Sequence, residues 1–425
     1  MNIFDQLLAD NQIPKFVRVR HEMDHSHIDD IEGAVAQAMR REGTLDRIKP
    51  GDSVCITAGS RDVANIARII RAICDQVKSV GAHPFIIPAM GSHAGAKAEG
   101  QRGIIEGYGV TEEAMGAPIR ASMDTEVIAH SKSGLEIHLD KFANAADFLI
   151  PVGRIKAHTD FRGEVESGIC KMLVIGMGKQ HGAYQCHKLG FKSMAANVKE
   201  FAGAIIEKKP NMFAIGLIEN AYHQTCRIEA IPAGRILAEE PPLLEYAKSR
   251  MAKVPFDQAD ILFVDETGKD ISGAGMDPNV TGRSPVLGIS RPFFQRIAVF
   301  DLTDKSHGNF GGLGSADVTT QRLSRKIDFE QTYPNGITAA EPLAVRLPAV
   351  MPSDRTAMQF ALRTATDCDW EKGPRIVWLK NTLSLSEFYI SEALIPDAEA
   401  LDNVTIVSEP MEVIFDEEGN VKELR

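Results

Sequence analysis

The clearest alternation of apolar and polar positions lies between residues 53 and 90. SVCIT (53–57) is a short apolar run rich in β-branched residues, and VANIARIIRAICDQVKSV (63–80) has apolar residues at helical spacing. Gly81 then separates this helix from a second apolar run, PFIIPAM (84–90). The pattern predicts a βαβ unit. Ligands of such sheets bind beyond the carboxyl ends of the strands, here at residues 58–62 and 91–93.

Further apolar runs extend this alternation along the chain and predict two domains. The predicted elements are a strand at 147–152, helix 193–208, strand 213–218, helix 242–251, strands ADILFVDE and RIAVFDL after Pro255, helix 354–365, strand 376–379, and VTIVS with MEVIF as a terminal strand pair. We therefore predict an α/β fold. An N-terminal domain, residues 1–255, would hold a Rossmann-like parallel sheet with flanking helices. A C-terminal α/β domain, residues 256–425, would face it across a cleft that contains the active site.

Composition and charge indicate a globular protein and disfavour several classes of partner. Of 425 residues, 44% are apolar and 25% are charged, which is typical of a globular chain. The formal charge of −11 disfavours nucleic acid and anionic membranes as partners. The chain lacks a secretory signal pattern and an apolar run of the ~18 residues that a membrane span needs, so we expect a cytoplasmic protein. Six cysteines without a CxxC pair predict reduced thiols.

Residues 152–190 bring several titratable nitrogens into one glycine-rich window. They belong to His158, Lys171, His181 and His187. Imidazoles exchange protons near neutral pH or bind a transition metal, and a lysine amine can anchor a cofactor covalently. The histidine spacing does not match a zinc signature such as HExxH. An isolated lysine here would usually extend to water, so the prediction of chemistry depends on the whole group.

Two candidates follow the strands of the predicted βαβ unit. Arg61 lies in SRD after the first strand and His93 in GSHAG after the second. Structural interpretations stay open for both, because an arginine often forms a surface ion pair and a histidine can bond a backbone carbonyl. GMGKQHG (176–182) has its third glycine one position too late for a dinucleotide fingerprint.

The order and spacing of these residues resemble a known family, the nickel-pincer nucleotide-dependent lactate racemases with their 2-hydroxyacid racemase and epimerase relatives. That family has an arginine after the first strand, G-[ST]-H after the second and a histidine after a third. It continues with S-G-G-A-K and a histidine sixteen residues beyond the lysine. The matching residues here are Arg61, Gly91-Ser92-His93, His158, Ser167-Gly168-Ile169-Cys170-Lys171 and His187.

The resemblance implies an isomerase that inverts C2 of a small 2-hydroxy acid by hydride transfer through a 2-keto acid. It implies a nickel-pincer nucleotide and nickel as cofactors, and cofactor-maturation enzymes as partners; self-association into a homo-oligomer stays open. The implied roles are the thioamide link for Lys171, cofactor contacts for Ser60, Asp62, Ser167 and Gly168, nickel binding for His187, acid and base for His93 and His158, and carboxylate or cofactor binding for Arg61.

The chain also departs from the family pattern. The segment 162–166 makes the interval from His158 to Lys171 three residues longer, and Ile169-Cys170 replaces Gly-Ala. GMDPNVTGR (275–283) has Thr and Gly where the family's substrate segment has Tyr and Gln, and it lacks the substrate-binding lysine. Lactate is therefore not the expected substrate.

Arg283 and His307 are predicted to supply replacement contacts to the substrate, although His307 is equally typical of a surface loop. Two alternative functions remain: an NAD-dependent 2-hydroxyacid dehydrogenase, and a non-enzymatic metal- or solute-binding protein. Whether His181 or His187 would bind the metal is also open.

Overall fold

A computed structural model describes residues 3–59, 63–188, 190–339 and 341–425. The chain folds as two compact units, one of residues 24–251 and the other of residues 1–23 and 252–425. The prediction had assigned the first 23 residues to the N-terminal domain. They belong to the other unit because the strand Phe16–His21 pairs within its sheet. A cleft between the units stays a prediction.

The elements are numbered in chain order. The strands are β1 (Phe16–His21), β2 (Ser53–Ala58), β3 (His83–Pro88), β4 (Thr125–His130), β5 (Glu136–Asp140), β6 (Phe148–Ile150), β7 (Val152–Arg154), β8 (Phe213–Glu219), β9 (Thr225–Pro232), β10 (Gln258–Thr267), β11 (Arg283–Ser284), β12 (Gly288–Ile289), β13 (Phe293–Leu302), β14 (Val318–Thr320), β15 (Ala349–Met351), β16 (Ile376–Leu379), β17 (Glu387–Ser391), β18 (Val404–Ile406), β19 (Val413–Phe415) and β20 (Val421–Leu424).

The helices are α1 (Ile3–Leu8), α2 (Ile31–Ala38), α3 (Ile66–Ser79), α4 (His93–Ala96), α5 (Ala98–Gly107), α6 (Glu112–Met115), α7 (Lys141–Ala145), α8 (Ile169–Lys171), α9 (Lys179–His187), α10 (Phe191–Lys208), α11 (Ile236–Arg250), α12 (Pro278–Thr281), α13 (Gln321–Ser324), α14 (Phe329–Ala339), α15 (Asp354–Thr364) and α16 (Ile395–Glu399).

The unit of residues 24–251 contains the predicted βαβ motif, which is confirmed. β2 pairs in parallel with β3 and with β6, and α3 connects β2 to β3 with its apolar face buried. The strand predicted at 147–152 is two strands, β6 and β7. Pro151 lies between them, and a proline cannot donate a ladder hydrogen bond. β7 joins a second sheet, in the order β7-β8-β9.

The other unit is built on an eight-stranded sheet with the order β15-β14-β13-β10-β16-β17-β1-β18. The first five strands are parallel, and the last three are antiparallel to their neighbours. The predicted pairing of VTIVS with MEVIF is wrong. β18 pairs with β1, whereas β19 pairs with β20 across a turn in which Gly419 has φ +85°. The chain therefore has a mixed α/β fold with a large, partly parallel sheet and many helices.

Two properties expected from composition can be compared with this fold. All six cysteines are free thiols. Within the described part of the chain, no helix has both the length and the apolar character that crossing a bilayer requires. The cytoplasmic location stays a prediction.

Candidate active site

The segment that carries Lys171 and His187 lies directly on the carboxyl ends of β2 and β3. It consists of α8, a π-helical turn (Met172–Gly176) and α9. A Cβ at Gly59, after β2, would come within 3.3 Å of Met172 Cε, and a Cβ at Gly176 within 3.0 Å of the Ala89 carbonyl oxygen. The glycines therefore allow the helical segment to rest on the strand ends, where the sequence predicts ligands.

Lys171 and His158 contact each other. Lys171 Nζ lies 2.7 Å from His158 Nε2, and the backbone N–H of Asp160 donates to His158 Nδ1 at 2.9 Å. The imidazole stacks on Phe161 with ring centres 4.1 Å apart. Burial, followed by the positive charges of Lys171 and Lys156, holds the pKa of His158 well below its usual value. The imidazole is thus neutral at physiological pH.

His187 ends α9 with its side chain oriented by the helix itself. Its Nδ1–H donates to the Ala183 carbonyl oxygen at 2.6 Å, which leaves the lone pair on Nε2. Burial lowers the pKa of His187, the bond to Ala183 opposes this shift, and the positive charge of Lys171 lowers the pKa further. His187 therefore belongs to the same electrostatic cluster as Lys171 and His158.

His181 is placed differently from His187 although both lie on α9. The residue is exposed, and its ring stacks on His138 with centres 5.6 Å apart. His138 is in turn bonded to Thr125 and to Glu136. His181 thus contacts β5, whereas His187 contacts Ala183 and Phe191 and has its pKa lowered by the charge of Lys171.

Glu166, which the sequence analysis did not single out, positions the His158 loop. Its side chain is fully buried, and Oε2 accepts the backbone N–H of His158 at 2.7 Å. Lys248, on α11, lies 3.0 Å from Oε1, and Arg162 lies 3.6 Å from Oε2. Arg162 and Glu166 belong to the segment that lengthens this interval relative to the lactate enzymes. The additional charges therefore fix the loop that carries His158.

Glu240 is a second buried carboxylate that sequence reasoning missed, and it holds the start of α8. Oε2 accepts the backbone N–H of Cys170 at 2.9 Å, and burial raises the pKa of Glu240. A Cβ at Gly168 would come within 2.1 Å of Glu240 Oε1, so a side chain there would displace the Glu240 carboxylate. Ser167 exchanges backbone hydrogen bonds with Lys156. Ser167 and Gly168 thus set the entry of the chain into the lysine-bearing helix.

Lys179 fixes the beginning of α9 from inside the unit. The side chain is fully buried, donates to the carbonyl oxygen of Pro88 at the end of β3, and lies 3.3 Å from Asp140 Oδ2. Burial lowers the pKa of Lys179 and raises that of Asp140, while each opposite charge resists the shift of its partner. Neither residue could be recognised from sequence, because Lys179 reads as part of the glycine motif.

The position of His93 is less constrained by the described contacts. The residue is exposed and begins α4, and Gln101 Nε2 donates to the carbonyl oxygens of Gly91 (2.8 Å) and His93 (3.2 Å). Gly91 N donates to the Gly176 carbonyl oxygen at 3.4 Å, so this loop adjoins the lysine-bearing segment. Ser60, Arg61 and Asp62 lie outside the described residues, and their roles stay predictions.

The two substrate candidates of the other unit are placed in unlike surroundings. Arg283 is 12% exposed; its guanidinium lies 2.5 Å from Asp317 Oδ2 and donates to the carbonyl oxygens of Phe294 and Gln295 at 2.8 and 2.6 Å. These contacts give Arg283 a structural role. His307 is exposed in a loop with φ +48°. Asp277 caps α12 by accepting the backbone N–H of Asn279 at 2.9 Å.

The fold and the site together define an α/β protein with a lysine–imidazole pair at the carboxyl ends of a parallel sheet. Residues 4–198 match the family model described as lactate racemase N-terminal domain. This match supports, over that part of the chain, the resemblance to the lactate racemase family that the sequence predicted.

Two solved structures match this chain at low sequence identity. The lactate racemase apoprotein from Thermoanaerobacterium thermosaccharolyticum has a TM-score of 0.53 and 16% identity, over 86% of this chain and 93% of that chain. A protein from Thermotoga maritima has a TM-score of 0.44 and 10% identity, over 83% and 87% of the two chains. No curated protein matches this chain in sequence. The likeness to the apoprotein extends over both units and concerns the fold.

Proposed function

We propose that this protein is a racemase or epimerase that inverts the C2 centre of a small 2-hydroxy acid through a 2-keto acid. The observation that carries the proposal is the 2.7 Å contact between Lys171 Nζ and His158 Nε2, inside the segment that matches the family model. A lysine amine beside a neutral imidazole, with a second imidazole in the same electrostatic cluster, supplies an attachment point, a base and a metal ligand.

The side chains present are compatible with a lysine-tethered nickel-pincer nucleotide. When bound, this cofactor would supply the acceptor for the C2 hydride. Lys171 would hold it covalently, and His187 would bind nickel through Nε2, because Nδ1 is committed to Ala183. No group of three or more His, Cys, Asp or Glu side chains is arranged as a metal site among the described residues. A metal at His187 would thus need further donors, and soft sulfur donors from a cofactor suit nickel.

The proton chemistry would belong to histidines. Because burial keeps His158 neutral, its imidazole is proposed as one of the two groups that exchange a proton with the substrate hydroxyl. Glu166 would keep His158 in place during this transfer through its bond to the backbone. His93 is proposed as the second acid or base and Arg61 as the group that binds the substrate carboxylate or the cofactor; both roles come from the family resemblance.

A nicotinamide-dependent dehydrogenase is less well supported. The dinucleotide fingerprint requires a strand that leads through a glycine turn into a helix. Here the residues before Gly178 form a π-helical turn, and a Cβ at Gly178 would come within 2.1 Å of the Val174 carbonyl oxygen. These glycines therefore allow close packing of the helical turns. The loop that would bind a cofactor phosphate is not formed by these residues.

The test is expression together with cofactor-making enzymes. Intact mass should increase by one covalent adduct, localised to Lys171, with about one nickel per chain. A panel of 2-hydroxy acids should then be inverted in deuterated water without deuterium at C2, because hydride returns without exchange. Lys171→Ala should lose the adduct, whereas the exposed Lys188→Ala should keep it. The proposal would be refuted if the chain expressed with the cofactor-making enzymes carried no adduct. It would also be refuted if deuterium from the solvent appeared at C2 of the inverted substrate.

A further inference from the structure

The segment that follows β3 contains a turn of left-handed helix, residues 94–96. Ala94 and Gly95 have φ/ψ of 54°/37° and 62°/26°, and Ala96 has φ 53°. Glycine adopts this conformation readily, whereas in an alanine it brings Cβ close to the following carbonyl oxygen and costs free energy. Three consecutive residues in this conformation are therefore strained. Such strain persists only where the surrounding structure holds the backbone in place.

Gln101, on α5, holds the backbone beside this turn. The residue is 1% exposed, and Nε2 donates to the carbonyl oxygens of Gly91 at 2.8 Å and of His93 at 3.2 Å. Because both neighbours are carbonyl oxygens, the atom between them must be the amide nitrogen. Gln101 Oε1 has no hydrogen-bond partner in the part of the chain that the structure describes. The amide thus gives its two donor positions to this segment and leaves a buried acceptor unsatisfied, which costs free energy.

The residue before Gln101 gives the turn room against α5. A Cβ at Gly100 would come within 3.0 Å of Ala94 Cβ and 3.2 Å of the Ala94 carbonyl oxygen. The Ala96 backbone N–H donates to the Ser92 carbonyl oxygen at 3.1 Å, and that of Lys97 to the Ala94 carbonyl oxygen at 3.3 Å. The first turn of α5 therefore fits the left-handed turn both in shape and in hydrogen bonding.

We propose that Gln101 is a positioning residue: its two hydrogen bonds hold the strained turn and fix the backbone of His93 beyond the carboxyl end of β3. When these bonds open, the two alanines return to less strained conformations, and the His93 backbone moves away from the strand end. The strain of the turn favours opening, and the two bonds of Gln101 oppose it. The segment 91–97 therefore has two conformations, and Gln101 sets the balance between them.

Only the chemical use of His93 rests on the proposed function. The contacts of Gln101 are a property of the cofactor-free protein, and they are tested on that protein. Failure of the loaded chain to invert any hydroxy acid would therefore leave this inference intact. Failure of the Gln101 test would likewise leave the covalent adduct on Lys171 as the test of the proposed function.

The first measurement is the sign of the stability change when an alanine of the turn is replaced by glycine. In a right-handed helix this replacement lowers the thermal midpoint, and Ala196→Gly, at an exposed position of α10, is the control. Ala94→Gly and Ala96→Gly should instead each raise the midpoint of the cofactor-free protein by about 1 to 3 °C, because glycine adopts the left-handed conformation without strain. A midpoint that falls in either variant would overturn the proposal.

The second measurement tests whether Gln101 is what holds the strain. Gln101→Met keeps a side chain of similar length but donates no hydrogen bond. In this background Ala96→Gly should raise the midpoint by less than about half of its effect in the wild type, because the released turn is no longer left-handed. An equal effect in both backgrounds would show that the turn does not depend on Gln101.

The third measurement follows the segment directly. Amide hydrogen exchange at residues 93–97 should accelerate at least about tenfold in Gln101→Met. Gln359→Met is the matched control, because Gln359 donates to a backbone carbonyl oxygen in the other unit, and it should leave this exchange unchanged. Unchanged exchange in Gln101→Met would also overturn the proposal.

NMR of histidine-labelled protein reports on His93 itself. In Gln101→Met the ring signal of His93 should shift, whereas that of His83, exposed at the opposite end of β3, should stay in place. A His93 signal that does not move would show that Gln101 does not position this residue. Should Gln101→Met not fold, Gln101→Asn replaces it in all three comparisons, because the shorter amide cannot reach both carbonyl oxygens.

Discussion

Buried polar side chains have different partners in the two units of the chain. In residues 24–251, Glu166 and Glu240 accept backbone N–H groups of His158 and Cys170, and Lys171 Nζ lies 2.7 Å from His158 Nε2. In the other unit, the Arg283 guanidinium pairs with Asp317 and donates hydrogen bonds to the backbone carbonyl oxygens of Phe294 and Gln295. The first arrangement positions reactive groups, whereas the second stabilises a sheet. Substitutions of such residues should therefore reduce activity in the unit of residues 24–251 and reduce stability in the unit of residues 1–23 and 252–425.

The largest effect is expected at His158. In cofactor-loaded protein, His158→Gln should reduce the inversion rate by about 10²- to 10⁴-fold, because the amide can replace the hydrogen bonds of the imidazole but cannot exchange a proton with the substrate. The thermal midpoint should change little. His181→Gln is the matched control, since His181 is exposed on the same segment. If His158→Gln inverted the substrate at the wild-type rate, another residue would exchange the proton. The buried polar contacts around His158 would then not position a reactive group, which is what distinguishes residues 24–251 from the other unit.

Arg283→Met should cost stability while sparing substrate affinity. Removing one partner of a buried ion pair typically costs about 3 to 5 kcal/mol, and the partial exposure of Asp317 favours the lower end. Urea unfolding of the variant measures this loss, and KM of the loaded enzyme should stay within about twofold. A KM raised more than about tenfold at unchanged stability would instead assign Arg283 to the substrate site, as the sequence suggested.

Local patterns predicted the elements of this fold better than their pairing. The βαβ unit and the strand Ile376–Leu379 follow from apolar spacing, which is a property of neighbouring residues. The pairing of β1 with β17 and β18 joins residues more than 360 positions apart. No periodicity encodes such a contact. For the same reason the first 23 residues were assigned to the wrong unit.

The site was predictable where chemistry depends on residue type and spacing. Lys171, His158 and His187 could be found because imidazoles and an amine recur at the intervals of a known family. Glu166, Glu240 and Lys179 could not, because charged residues in apolar or helical stretches usually face solvent. Only the tertiary structure shows that all three side chains are fully buried.

Asp265 should make the free energy of unfolding depend on pH in the unit of residues 1–23 and 252–425. Its carboxylate accepts the Trp378 Nε1–H at 2.6 Å, and burial raises its pKa to about 6. The folded state thus binds this proton more tightly than the unfolded chain, whose carboxyl titrates near 3.8. Stability is retained at low pH and falls by up to about 3 kcal/mol as pH rises from about 4 through 6.

Asp265→Asn should remove that pH dependence, because an amide oxygen still accepts the Trp378 hydrogen bond and does not titrate. Above about pH 6 the variant should be the more stable protein. Urea unfolding between about pH 4 and 8 measures the difference, with the surface substitution Asp369→Asn as control. Parallel pH profiles for wild type and Asp265→Asn would mean that this carboxyl titrates alike in both states.

The smallest effect is expected at His307. The residue is exposed and has φ +48°, a conformation that asparagine adopts readily. His307→Asn should therefore change the free energy of unfolding by less than about 0.5 kcal/mol. Because the imidazole is expected to make no substrate contact, KM of the loaded variant for the best hydroxy acid should also equal that of the wild type. A KM raised more than about tenfold in the variant at unchanged stability would instead show that His307 contacts the substrate. That outcome would place a substrate-binding residue in the unit of residues 1–23 and 252–425. Polar side chains would then contribute to activity in both units.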